Sequence, residues 1–408
     1  MPLTRRQILR RRRVTVFGGL AIVLAGGFYL PFTLLAPLTA STAQILPWVA
    51  PVTEAPTLEW PAYGASAIGA IDFPGTLAVS GSTEALPIAS ITKVITALVV
   101  LESKPLALDE AGPDISFTSA DVTLYTSYLH RNGKVEPVRA GIVLNERQVL
   151  QLTLVASANN YTASLVNWAF GSEEAFLPVA RDWLATRGLD DIFLSDATGM
   201  NPENRATATD LIELGKIALA DPIVSVMVDT EHISIPGVGE IDNTNDLLGE
   251  GGVRGIKTGT LDEAGACLLF AADYQIGSEL ITVIGVMLGG EDHPSLDQDI
   301  RELLATAQSG FHEVVLTTAG SNFASYSTAW GDESDVVATE SASLVLWADT
   351  PVTLLVQASP VTLDEAGTDV GSLSFSVGAR TVEVPLELKS EIDDPGAWWR
   401  LTHPSELF

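Results

Sequence analysis

Pro87-Ile88-Ala89-Ser90-Ile91-Thr92-Lys93-Val94-Ile95-Thr96-Ala97-Leu98 sets a serine and a lysine three residues apart. Ile91, Val94, Ile95, Leu98 and Val99 recur at helical spacing, which predicts a helix over residues 90–100 with Ser90 in its first turn and Lys93 about one turn on. Side chains three apart face each other, and a first turn leaves free N–H groups and a positive dipole end beside the serine. A serine hydroxyl is a poor nucleophile until a base takes its proton. A lysine acts as that base only where burial and nearby positive charge lower its pKa toward neutrality. Taken alone, the same pattern also describes an amphipathic helix with a surface lysine.

Two later stretches decide between these readings. Ser157-Ala158-Asn159 ends the helical run Glu146 to Ala156, and Lys257-Thr258-Gly259 opens a strand; no second Ser-x-x-Lys, Ser-x-Asn or Lys-Thr-Gly occurs in the chain. A Lys-Thr-Gly arises by chance in about one chain in ten of this size, and the three motifs come in one fixed order.

At these residues the chain resembles the penicillin-recognising serine acyl-transferases, in particular the D-alanyl-D-alanine carboxypeptidases of the low-molecular-weight penicillin-binding protein type. The resemblance takes in Ala89 to Ala97, Ala156-Ser157-Ala158-Asn159-Asn160, Asp196-Ala197-Thr198-Gly199-Met200-Asn201, and Gly255-Ile256-Lys257-Thr258-Gly259 with Asp262-Glu263-Ala264-Gly265. It covers residues 60 to 315 strongly and the β-rich tail more faintly. It implies an α/β (α+β) fold, an antiparallel sheet flanked by helices as in DD-peptidases and β-lactamases, with a small C-terminal β-sandwich.

The resemblance also implies a set of roles. Ser90 is the nucleophile and Lys93, kept neutral by nearby Lys257, its base. Ser157 relays a proton to the departing amine, and the Asn159 amide orients Lys93 and the substrate backbone. Lys257 and Thr258, beside Gly259, hold the substrate's terminal carboxylate, and the N–H groups of Ser90 and Thr260 receive the oxyanion. The implied partners are the D-Ala-D-Ala end of a peptidoglycan stem peptide and β-lactam antibiotics. Two departures bear on carboxylate affinity: Leu261 stands where family members often have Thr, and the loop Gly289-Gly290-Glu291-Asp292-His293-Pro294 holds no arginine. A serine β-lactamase is the nearest rival, but Ala158 replaces the aspartate of its Ser-Asp-Asn and no Glu-x-x-Leu-Asn loop appears. A silent wall-binding or β-lactam-sensing protein is a third reading, disfavoured by the intact motif set.

At 408 residues the chain is too long for one ordinary core. Six arginines between Arg5 and Arg13 precede an apolar run from Val14 to about Leu38, long enough to cross a bilayer. Such a cluster stays in the cytoplasm, so the remainder is expected outside the cell, held at the membrane by a single span. Cleavage after Ala40 or Ala43, or export by a twin-arginine route through Thr4-Arg5-Arg6-Gln7-Ile8-Leu9, are alternatives; the run exceeds a usual signal core, which favours an uncleaved anchor. The net charge is −29, with all 51 acidic residues beyond the arginine cluster, which excludes a nucleic-acid partner. Five histidines without paired spacing give no metal site, and no cofactor is called for. Cys267, in an apolar run, reads as a buried core residue.

The expected organisation is a basic arm (1–13), an anchor (14–38), a Pro-rich linker (39–60), a catalytic domain (61–315), a second linker (316–330) and a β-rich domain (331–408), separable after a turn-rich join at Gly331-Asp332. Within the catalytic part, strands are expected near 77–80, 265–273 and 280–288, and helices near 174–187, 208–220 and 294–308. Residues 104–140 read as polar and turn-rich. Thr207-Ala208-Thr209-Asp210 reads as a capping box; Trp398-Trp399-Arg400-Leu401 reads as closing the sandwich, with contact to the membrane as the alternative.

Overall fold

Alternation along one strand sets the architecture of the catalytic part. In the computed structural model, which describes residues 5–408, Cys267, Leu269 and Ala271 face one core while Ala266, Leu268, Phe270 and Ala272 face another. Successive side chains of a strand point to opposite faces, so a run apolar at every position belongs in a sheet covered on both sides. The strand, Gly265–Ile276, is the second of a five-stranded antiparallel sheet. Its members are β1 (Ala65–Ala70), β2 (Ala78–Gly81), β3 (Val253–Leu261), β4 (Gly265–Ile276) and β5 (Glu279–Gly290), in the order β3-β4-β5-β1-β2. One face packs on the helix His293–Ala307 through Leu296, Ile300 and Leu303. The other carries the helical lobe, with Thr92–Ser103 at its centre and ten of its twelve residues buried. The mixed α/β fold with antiparallel sheets expected from the motifs is thus the fold observed.

The inner strand Ala65–Ala70, fourth in the sheet, escaped the sequence reading because Ala-Ser-Ala-Ile-Gly-Ala lacks bulky β-formers, yet all six residues are buried. The turn-rich reading of 104–140 missed a helix, Ser119–His130, opened by a full Thr118/Asp121 capping box. A further helix, Asn159–Phe170, begins at the last residue of Ser157-Ala158-Asn159. At Thr207 only half the expected box forms: its side chain accepts from Asp210 N, while the Asp210 carboxylate accepts from Asp191 N at 2.9 Å.

The N-terminal helix Arg5–Leu34 takes in the arginines and stops shortly before Pro37. Its apolar part from Val14 rises about 31 Å, the thickness of a bilayer core, so the helix fits a single-pass anchor. Met1 to Thr4, the start of the basic arm and of the twin-arginine stretch, lie outside the described residues. The Pro-rich stretch is extended and attached: Gln44–Ile45 pairs with Ala324 and Ser325, and Trp48 packs on Phe375.

Seven strands build the tail: β6 (Phe311–Thr317), β7 (Asn322–Ser327), β8 (Glu333–Ala338), β9 (Ala342–Trp347), β10 (Thr353–Ala358), β11 (Asp369–Val377) and β12 (Arg380–Leu388). The antiparallel pair β6·β9 faces a sheet ordered β7-β8-β12-β11-β10 across a shared core. The second linker expected over 316–330 is therefore corrected: it holds β7, whose Phe323, Ala324 and Tyr326 are buried, because an alternating strand needs only every second residue apolar. Nor is Gly331-Asp332 a join between separate bodies, since Trp347 from beyond it packs edge-on to Phe311 in the core beneath the five-stranded sheet. Trp399 packs edge-on to Trp330, while Trp398 is exposed and Tyr29 of the anchor helix donates to Leu401 O at 2.7 Å.

Candidate active site

Ser90 sits in a single 3-10 turn, Ala89–Ile91, that feeds directly into the helix Thr92–Ser103, with no side chain capping its first N–H groups. Ala89 is held at φ +44°, a region that costs a non-glycine residue of order 1–3 kcal/mol and persists only where packing imposes it. That packing is visible on two sides. A Cβ on Gly199 would stand 2.0 Å from Ala89 O, and one on Gly259 would stand 2.9 Å from Ile88 O and 3.3 Å from Ser90 N. Both positions must be glycine for strand β3 and the loop before Met200 to press against the turn that carries Ser90.

Lys93 is fully buried and its Nζ donates to Ser90 Oγ at 2.8 Å, to Asn159 Oδ1 at 2.6 Å and to Thr198 O at 2.6 Å. Burial pushes its pKa down to about 7, opposed by the charge of Asp196. The expectation that Lys257 keeps Lys93 neutral is corrected in its order of causes: desolvation is the largest, and Lys257 is itself held well below the ordinary lysine range by burial, then by the charges of Lys93 and Lys134. Asp196 in turn is fixed by accepting from Gly199 N at 2.8 Å, Met200 N at 3.1 Å and Asn204 Nδ2 at 2.7 Å. Asn204 also donates to Thr92 Oγ1 at 3.1 Å and accepts from Ser195 N at 2.6 Å, which ties this loop to the helix Thr92–Ser103.

Ser157 lies in the bend between the helices Glu146–Leu154 and Asn159–Phe170 at φ +57°, lining the cleft with Ser90. Its hydroxyl bonds neither lysine among the described residues. Asn159 N donates to Lys134 O at 2.8 Å, which fastens the loop Arg131 to Val135 along the cleft. Across it, β3 contributes Lys257, Thr258, Gly259 and Thr260. Lys257 Nζ lies 3.2 Å from Thr258 O and 3.4 Å from the hydroxyls of Thr244 and Thr258, which bond each other at 2.5 Å. Thr260 Oγ1 is 2.7 Å from His293 Nε2. The cleft between these walls measures about 710 Å³.

Every residue singled out from the sequence reaches this cleft or the buried network behind Ser90. Sequence reasoning gave no role to Thr198, Asp196, Asn204, Thr244 or His293. Asp196 and Thr198 stand within the quoted Asp-Ala-Thr-Gly-Met-Asn run; nothing local marks Thr244 or His293, which the fold brings in from turns flanking the sheet.

A buried lysine poised on a serine, backed by Ser-x-Asn and Lys-Thr-Gly on the facing walls, defines a serine acyl-transferase site. The D-alanyl-D-alanine carboxypeptidase family model (peptidase S11) matches residues 75–289, and the chain belongs to that family. It is 33% identical over 193 residues to a D-alanyl-D-alanine endopeptidase of Pseudomonas aeruginosa, a match covering 45% of this chain and 58% of that enzyme. It is 22% identical over 326 residues to the D-alanyl-D-alanine carboxypeptidase DacA of Escherichia coli, covering 75% of this chain and 77% of DacA. Among solved structures, a peptidoglycan synthesis regulatory factor (PBP3) of Streptococcus pneumoniae superposes with a TM-score of 0.61 at 22% identity, over 82% of this chain and all of that one. This last likeness speaks for the fold.

Proposed function

We propose that the protein is a serine-type D-alanyl-D-alanine carboxypeptidase that removes the terminal D-alanine of peptidoglycan stem peptides and is acylated by β-lactams. The observation that carries this reading is the buried Lys93 Nζ 2.8 Å from Ser90 Oγ, with burial pushing its pKa down to about 7. In this reading Lys93 takes the Ser90 proton as Oγ attacks the penultimate D-Ala carbonyl, and Asn159 holds Lys93 in place. The oxyanion is received by Ser90 N–H and Thr260 N–H. The C–N bond to the last D-alanine breaks, and Ser157 passes a proton to the leaving amine. Water then hydrolyses the ester. Thr258 and Lys257 hold the terminal carboxylate, and Gly259 leaves room for the chain to lie along β3. The anchor helix fits the same reading, with a catalytic unit and a β-rich unit outside the membrane and the extended stretch after Leu38 tied to the second.

Incubation with a stem pentapeptide ending in D-Ala-D-Ala tests the proposal. Release of one D-alanine per peptide, lost in Ser90→Ala, is the expected result; no release from any such peptide contradicts it. The 33% identity to an endopeptidase favours a second reading, cleavage of cross-linked stems. Digestion of purified cross-linked dimers separates the two: an endopeptidase yields monomers faster than it trims pentapeptides.

A further inference from the structure

We propose that His293 is the ionisable wall of the substrate's carboxylate pocket, so that preference for a free C-terminus depends on proton uptake by its imidazole. This rests on the acyl-transfer reading above. His293 is the first residue of the helix His293–Ala307, whose N-cap Asp292 accepts from Ser295 N at 2.9 Å. The helix entry thus turns the ring into the cleft, where Nε2 meets Thr260 Oγ1 at 2.7 Å, three residues along β3 from Lys257. Thr244, Thr258 and Thr260 supply hydroxyls at this end, and the next residue, Leu261, supplies none. Arg131 and Lys134 line the cleft from the loop fastened to Asn159.

The charged groups acting on His293 are Asp246 from the turn before β3, Lys257 from β3, and its own neighbour Asp292; Asp262 lines the same cleft. Burial is the largest cause and, with the smaller push of Lys257, outweighs Asp246 and Asp292 and holds the imidazole below its ordinary pKa, so without a bound carboxylate the ring is neutral at neutral pH. A carboxylate placed between Lys257 and His293 reverses the balance. The ring then takes up a proton and donates a charge-assisted hydrogen bond, so binding tightens as pH falls. Acylation runs the other way, because Lys93 must lose its proton.

The test compares kcat/KM between about pH 5 and pH 9 for one D-Ala-D-Ala peptide with a free terminal carboxylate and for its carboxamide. A bell for the acid and a single rising limb for the amide are expected. In His293→Gln, which cannot ionise, KM for the acid near pH 6 should rise roughly tenfold and the falling limb should vanish. His293→Arg, permanently charged, should hold KM low into the alkaline range. Profiles of the same shape for acid and amide overturn the proposal, as does a falling limb that survives in His293→Gln, which assigns it to Lys257. The wild-type comparison needs no variant, so a misfolded substitution leaves the test intact. If neither peptide acylates Ser90, the acyl-transfer reading itself fails and the proposal with it.

Discussion

Asp196→Asn should move the acid limb of acylation to lower pH. Burial brings Lys93 from 10.5 to about 7, so about half of it is neutral at pH 7; a free lysine would offer about one molecule in 3,000. Asp196 is the charge that opposes this depression, since its carboxylate favours the ammonium form. Its removal lowers the pKa further. Near pH 6 the wild type has roughly a tenth of its base available, and the variant should acylate roughly threefold faster or more. The substituted amide keeps one acceptor oxygen for Gly199 N and Asn204 Nδ2 but turns an NH2 toward Met200 N, at a cost of about 1–3 kcal/mol. Unfolding must therefore be checked alongside. The assay is the acylation rate at saturating fluorescent penicillin across a pH series, which separates chemistry from binding. A wild-type limb near that of a free lysine, or a limb that moves upward in a folded Asp196→Asn, would refute the reasoning.

Glu146 is fully buried with neither carboxylate oxygen bonded among the described residues, and burial lifts its pKa from 4.5 to about 7 against the pull of Lys104. A carboxyl with a raised folded pKa keeps its stability below the unfolded value and loses it as pH rises to the folded one. Glu146→Gln should therefore gain about 2 kcal/mol in urea unfolding near pH 8 and nothing near pH 4; an equal effect at both would count against burial as the cause. Gly259→Ala should leave a folded protein whose acylation falls about a hundredfold, since its Cβ meets Ile88 O at 2.9 Å and displaces the nucleophile turn. Trp347→Ala should cost about 3–5 kcal/mol and unfold catalytic and tail regions in one transition, because this tail residue packs edge-on to Phe311 in the core beneath the five-stranded sheet. Two separate transitions would restore an independent tail.

The grouping of the three motifs at one cleft was legible because each is local: Ser90 and Lys93 lie three residues apart, and the two other motifs are contiguous triplets. Strands β4 and β5 were legible for a related reason, as long apolar runs bounded by glycine. What surrounds the site was not. Thr198 acts through its backbone carbonyl, which no side-chain pattern reveals. Thr244 and His293 reach the cleft only because the sheet folds distant turns together. The boundary near 316–330 failed because β7 alternates polar and apolar residues and so reads like a linker, and because β6·β9 serves two cores at once. Burial was named from the sequence as a cause of the Lys93 shift, but its rank ahead of the Lys257 charge was not legible, because the extent of burial is a property of the packed helix and not of the motif.

The most direct test of the account is the site and timing of the β-lactam adduct. Purified protein should be treated with benzylpenicillin, quenched at intervals, and its peptides weighed. One adduct per chain on the peptide carrying Ser90, long-lived in the wild type and absent from a folded Lys93→Arg at every pH, is the predicted result, because a guanidinium stays protonated and cannot accept the serine proton. An adduct on another residue, or Lys93→Arg acylating at a near wild-type rate, would contradict the claim that Lys93 activates Ser90.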